Sequence, residues 1–123
     1  QCVEQQTTLP HSPWMNFAER NIGSLGAMVR NCHRTFKIPY QHHNWTQKWC
    51  CDCHNIASSR RLDWQSPDDI HLGYTQDISK FRFHVWEPIW YFEKGAKTPI
   101  DTWQKGCWMG FAHQSGDAFT YYI

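Results

Sequence analysis

The stretch Asn16–Pro39 reads NFAERNIGSLGAMVRNCHRTFKIP. Ile22, Leu25, Val29, Cys32 and Phe36 recur at i, i+3, i+7, i+10 and i+14, one apolar stripe on a helix. Asn16 is a favourable N-cap. Lys37-Ile38-Pro39 ends the pattern, because proline cannot continue a helix. The first turn of this predicted helix holds one carboxylate, Glu19. Each residue advances about 100° around the axis, so Gly23, Gly26, Arg30 and Arg34 share the side of Glu19 and the stripe lies roughly 100° away. Glu19 is therefore expected at the margin of the buried face. A carboxylate there complements the helix dipole. It also suits a metal ligand, and position alone favours the dipole role.

Working outward, residues 3–8 (VEQQTT) resemble a short strand, and Leu9–Pro13, with two prolines, reads as an extended loop. A second helix fits residues 42–57, with Trp45, Trp49, Cys53 and Ile56 on one face. Ser66-Pro67-Asp68-Asp69 is a helix-start signal, and Gly73 keeps that helix short. FRFHVWEPIWYF (81–92) reads as strand, with Pro88 marking an edge or a bulge. Gly95–Pro99 is a loop. CWMGFA (107–112) and AFTYYI (118–123) read as two further strands, joined by a hairpin loop at His113–Asp117. The chain divides near residue 75, helical before and β after, which predicts an α+β fold.

The 123 residues suffice for one ordinary domain or two small modules. The chain opens on Gln1 with polar, strand-like sequence and reads as a piece of a longer protein, without a signal peptide. No window approaches the ~20 apolar residues of a membrane helix, so no membrane partner is expected. A net charge of +1 selects no partner, and a nucleic-acid role must rest on local clusters. Low-complexity tracts and repeats are absent. Eight Trp, seven Phe and five Tyr supply large rings for a small core.

Six cysteines and the sequon Asn44-Trp45-Thr46 would suit a secreted, disulfide-bonded chain. Three of the six crowd into Trp49–His54 (WCCDCH), where one helix aims them poorly for bridging each other. Free thiols packed as small apolar groups are the favoured reading. Cys50 and Cys53 have C-x-x-C spacing beside His54, but a structural zinc needs a second spaced pair. Cys32-His33 and His42-His43 lack the usual spacing. Nothing in the sequence orients a Cys/His nucleophile.

The polar strand, then Pro10, His11, Ser12, Pro13, Asn16, Ala18 and Glu19, then an amphipathic helix, resembles the end of the integrase catalytic core of copia-type retrotransposons. Pro39 followed by the Trp-rich helix ending at Asn55 is similar to the next helix of that family. SPDDIHLGYTQDISKFRFHVWEPIWYF (66–92) and GCWMGFAHQSGDAFTYYI (106–123) resemble its following segments, the last an SH3-like β module of retroviral-type polymerases. The likeness spans nearly the whole chain. It implies the C-terminal part of an RNase H-like core over 1–60, a connecting segment with a short helix over 61–79, and the β module over 80–123.

The resemblance also implies polynucleotidyl transfer by a D…D…E set holding two Mg²⁺ (or Mn²⁺) ions. Glu19 matches the third carboxylate, and Pro13 and Asn16 the loop beside it. Both Asp partners would precede residue 1, since Asp52, Asp63, Asp68 and Asp69 all follow Glu19. This chain alone would then bind no metal and catalyse nothing. Implied partners are DNA and the rest of a Pol polyprotein, with a homo-oligomeric parent in the nucleus after a cytoplasmic particle stage. Arg20, Arg30, Arg34, Lys80 and Arg82 are the implied nucleic-acid contacts. The sequence departs from the family in a loop one residue short and in glycines at 23 and 26, where relatives carry basic residues. A decayed element, leaving a binding module without metal chemistry, fits these departures. In the β segment Lys80, Arg82, Lys94, Lys97 and Lys105 alternate with Phe81, Phe83, Trp90, Trp103 and Trp108. Such rings either stack on bases or fill a core.

Overall fold

The computed structural model describes residues 16–92, 103–112 and 120–123. The predicted strand at 3–8, the loop containing Pro13, and the loops at 95–99 and 113–117 lie outside them. The described residues form a mixed α and β structure, as the change of pattern near residue 75 predicts.

Helix α1 spans Phe17–Phe36. Asn16 is its N-cap, in extended conformation, and its side-chain oxygen accepts the backbone N–H groups of Ala18 and Glu19 at 3.1 and 3.3 Å. That satisfies two of the four donors every helix leaves open at its start. At the other end Lys37 turns left-handed (φ 53°) and returns its N–H to the His33 carbonyl. The His33 Nδ1–H donates to the Ile38 carbonyl at 3.0 Å, closing the last turn. The predicted stripe is buried only in its C-terminal part. Val29 is 2% exposed, whereas Ile22 is 70% exposed, because no described element covers its side chain. Residues 17–24 are all exposed.

A 3₁₀ turn at Tyr40–His42 leads into helix α2, His43–Ile56, which packs on α1. The predicted face of Trp45, Trp49, Cys53 and Ile56 is half-buried. The deepest positions lie between its members, at Thr46 and Cys50, both with no exposed surface. Thr46 hides its hydroxyl by donating to the His42 carbonyl at 3.2 Å. Small residues fit where two helix surfaces approach, and the larger rings flank them.

A tight turn follows. Ser59 caps the 3₁₀ segment Arg60–Leu62, Asp63 and Trp64 both take positive φ, and the Ser59 N–H donates to the Gln65 carbonyl at 3.1 Å. Helix α3, Pro67–Leu72, starts on a complete capping box. The Asp69 N–H donates to the Ser66 hydroxyl at 3.0 Å and the Ser66 N–H to the Asp69 carboxylate at 3.2 Å. Gly73 ends it in left-handed conformation.

The β part is shorter than its alternation predicts. Strand β1 is Pro88–Phe92, paired antiparallel with β2, Trp103–Cys107, from Pro88 opposite Cys107 to Phe92 opposite Trp103. Pro88 opens its strand, a position that demands no ladder N–H. Strand β3, Gly110–Phe111, pairs with β4, Tyr121–Tyr122. Residues 81–85 alternate in burial, but 81–87 are not strand. A 3₁₀ turn at Ile78–Lys80 precedes them, and His84–Glu87 folds into a turn with Trp86 at φ 68°. Two bonds tie this turn to the strand region, Trp86 N–H to the Trp108 carbonyl and Trp108 N–H to the Glu87 carbonyl. The predicted strand 107–112 is split at Trp108-Met109, and Gly110, at φ 131°, takes a backbone conformation unsuited to other residues.

Rings fill the β core. Trp108 has no exposed surface and lies 5.3 Å from Phe111 and 6.3 Å from Phe83, centroid to centroid. Phe81 and Tyr121 close the cluster around Phe111 at 4.7 and 5.8 Å. Helix α2 seats on it, with Lys48 donating to the Phe111 carbonyl and the Trp45 ring tilted against Tyr122 at 4.8 Å between centroids. Phe36 of α1 stacks on His84 at 4.3 Å. Gly106 of β2 faces the side chain of Ile123 so closely that a Cβ there would collide with it.

Candidate functional site

The Asn16 cap sets the direction of α1's first turn and so presents Glu19 and Arg20. Both are exposed. The Arg20 guanidinium lies 5.2 Å from the Phe17 ring centroid. A second guanidinium, Arg61, lies 5.0 Å from the same ring. Two cations on one ring are attracted by its π face, and Phe17 is left more than half exposed between them. Arg61 arrives from the 3₁₀ turn after α2, held by the Ser59–Gln65 closure.

Beside this pair runs an open cleft of about 530 Å³, lined by Asn21, His54, Ser58, Ser59 and Arg61 among others. The lining offers hydrogen-bond donors and positive charge and contains no carboxylate. Glu19 contributes the one negative charge of the same helical turn. Chemically the arrangement suits a phosphate-bearing ligand, since guanidinium donors match phosphate oxygens in pairs.

The other predicted cations are dispersed. Arg30 and Arg34 are exposed on α1, Arg30 about 15 Å along the axis from Arg20. One Arg30 guanidinium nitrogen lies 3.4 Å from where a Gly26 Cβ would stand, so the glycine leaves room for that side chain along the helix. Lys80 sits 5.7 Å from both the Phe81 and Phe111 rings, packed on the β core, while Arg82 is exposed. Phe81, Phe83 and Trp108 belong to that core. Trp90 and Trp103 are exposed. Lys94 and Lys97 lie outside the described residues, as does Pro13. Arg61 is not among the predicted contacts, and His54 is named above only beside the C-x-x-C spacing. The one signal for Arg61 is the Ser58-Ser59-Arg60-Arg61 run, whose meaning depends on the turn that brings it to α1.

The described residues by themselves do not make a magnesium site. A hard divalent cation needs several oxygen ligands, and among these residues no three His, Cys, Asp or Glu side chains converge to hold a metal. Among the described residues Glu19 belongs to no such group.

The cysteines lie elsewhere. Cys32, Cys50, Cys51, Cys53 and Cys107 are free thiols. Cys32 Sγ approaches Cys50 Sγ to 3.7 Å across the α1–α2 seam. Burial, reinforced by Cys32, pushes the Cys50 thiol far above its ordinary value. Burial, with Asp52 and Cys32 adding to it, pushes the Cys53 thiol up to about 12. Groups so protonated at neutral pH are poor nucleophiles.

None of the described helices is long and apolar enough to cross a membrane. No family model matches the chain, and no curated protein or solved structure does.

Proposed function

We propose that this chain is a nucleic-acid-binding segment of an integrase-type polypeptide, comprising the end of an RNase H-like core and an SH3-like β module. In this reading Glu19 is one carboxylate of a magnesium or manganese site whose other ligands are aspartates upstream of Gln1. The chain alone performs no strand transfer. Its own contribution is to grip a phosphate backbone. The observation that carries the reading is the pairing of Arg20 and Arg61 on Phe17 next to the exposed Glu19 and a carboxylate-free cleft.

The test is fluorescence anisotropy with a short labelled duplex across a salt series. Binding is expected to weaken steeply as salt rises, because counterions are released from the phosphates. Arg61→Ala and Arg20→Ala are each expected to weaken it and to lower the salt slope by about 1. No binding at low salt, or binding indifferent to salt and to both substitutions, would sink the proposal.

A second reading is a non-catalytic module with no metal chemistry, the remnant of a decayed element. It is favoured by the way α1 and α2 pack on each other and on the ring core through Lys48, Trp45 and Phe36. These contacts cover the C-terminal half of α1 and one side of α2 from within the described residues. The coding frame upstream of Gln1 separates the two readings. Two strand-borne aspartates there support the first, and their absence supports the second.

A further inference from the structure

The geometry points to Cys32 and Cys50 as an oxidisable pair that closes to one disulfide between α1 and α2, with a low-molecular-weight disulfide such as oxidised glutathione as the oxidant. The two sulfurs are already 3.7 Å apart and share an S–H···S contact. A disulfide needs about 2.0 Å, so the gap to close is ~1.7 Å, within reach of side-chain rotation on helices already packed together. Cys50 has no exposed surface and Cys32 is partly exposed. The accessible partner reacts first and the hidden one resolves.

The exchange balances. The Cys32 thiolate attacks one sulfur of the oxidised glutathione, forming a Cys32–glutathione bond and expelling one glutathione thiolate. The Cys50 thiolate then attacks the Cys32 sulfur and expels the second. Two protein thiols lose two electrons to the small disulfide, and their two protons end on the two released glutathiones. Burial keeps Cys50 protonated at neutral pH, so the second step is the slow one. The nearest competitor is Cys53, one turn along α2 and close enough to Cys32 to feel its charge. Only Cys50 makes direct sulfur contact with Cys32 among the described residues.

Cys32 is twelve residues from Arg20, about 18 Å along α1, while Cys50 is one turn of α2 from His54 in the cleft lining. The test reads thiols and a sulfur–sulfur bond, so the inference stands or falls apart from nucleic-acid binding.

The experiment incubates the full chain with oxidised glutathione, then measures free thiols, mass and non-reduced peptide maps. The expected product has lost two thiols and carries no glutathione, with Cys32 and Cys50 linked. Its thermal midpoint is expected to rise on the order of 10 °C, as for a loop of this length in a domain this size, and dithiothreitol is expected to reverse the rise. C32S is expected to abolish the bridge. The C51A/C53A double variant, which leaves the pair intact, is expected to keep it. A stable glutathione adduct on Cys32 without a bridge would overturn the inference. So would loss of the bridge in C51A/C53A, which leaves both members of the pair in place.

Discussion

Between α1 and α2 the deepest positions are Val29, Thr46 and Cys50, all small. Beneath the β strands they are Val85, Trp108 and Phe111, with Phe81, Phe83 and Tyr121 around them. The difference follows from what each element provides. Two long helices meet along a line and supply their own backbone hydrogen bonds, so small side chains bring them close. The strands have two to five residues and form two-stranded pairs. Such pairs are marginal alone, and large rings must supply the buried area the ladders lack. Each such ring buries far more than a valine, so each one lost from the β part costs more.

The sharpest way to break this comparison is Trp108→Ala. It is expected to cost about 3–5 kcal/mol, the usual range for a buried large ring. Denaturant unfolding followed by helix circular dichroism and by tryptophan fluorescence reads it. If both signals shift together, seam and ring cluster are one cooperative unit. If the helix signal stays put, Lys48 and Trp45 are a weak coupling and the two regions stand separately.

Val29→Ala is the matching cut in the seam and is expected to cost about 2 kcal/mol. A loss equal to that of Trp108→Ala would refute the contrast drawn between small and large fillers. Next in size is Ser66→Ala, which removes one arm of the α3 capping box at about 1 kcal/mol. Its effect belongs to the midpoint of urea unfolding, with the slope unchanged.

The smallest effects are in pH, and they differ between regions. The seam thiols have raised values in the fold, so the folded state prefers them protonated. Their contribution is whole below the ordinary thiol value, about 8.5, and is lost as pH rises from there toward the raised values. Thermal midpoints should therefore fall in alkali, and less so in C53A. Asp69 behaves oppositely. Its carboxylate is held below its ordinary value by the Gln76 N–H and then by Ser66. Its contribution is present above the ordinary carboxylate range and lost as pH falls through the lowered value. Asp69→Asn should remove that acid-side loss, measured by melting between neutral and acidic pH.

Helix boundaries were legible because their signals are local. Asn16, Lys37 to Pro39, and Ser66-Pro67 with Gly73 each act within one turn of themselves. Strand extent was not. Phe81, Phe83 and Val85 do alternate in burial, as the pattern implies, but a ladder needs a partner strand, and Trp86 turns away instead. Ile22 fits the helical period and stays exposed, because periodicity names a face and not what covers it. In the candidate site Glu19 and Arg20 could be found from the cap. Arg61 could not, since its place beside Phe17 is set forty residues later by the turn at Ser59.

Gly106 links the two small sheets by an absence of atoms. The methyl group of an alanine there would collide with the Ile123 side chain, which is half exposed and would have to move aside. Strand β4 lies just before Ile123, and Tyr122 is the ring on which Trp45 rests. The bare backbone at position 106 is thus the seat of a half-exposed side chain, one residue away from the ring that carries Trp45.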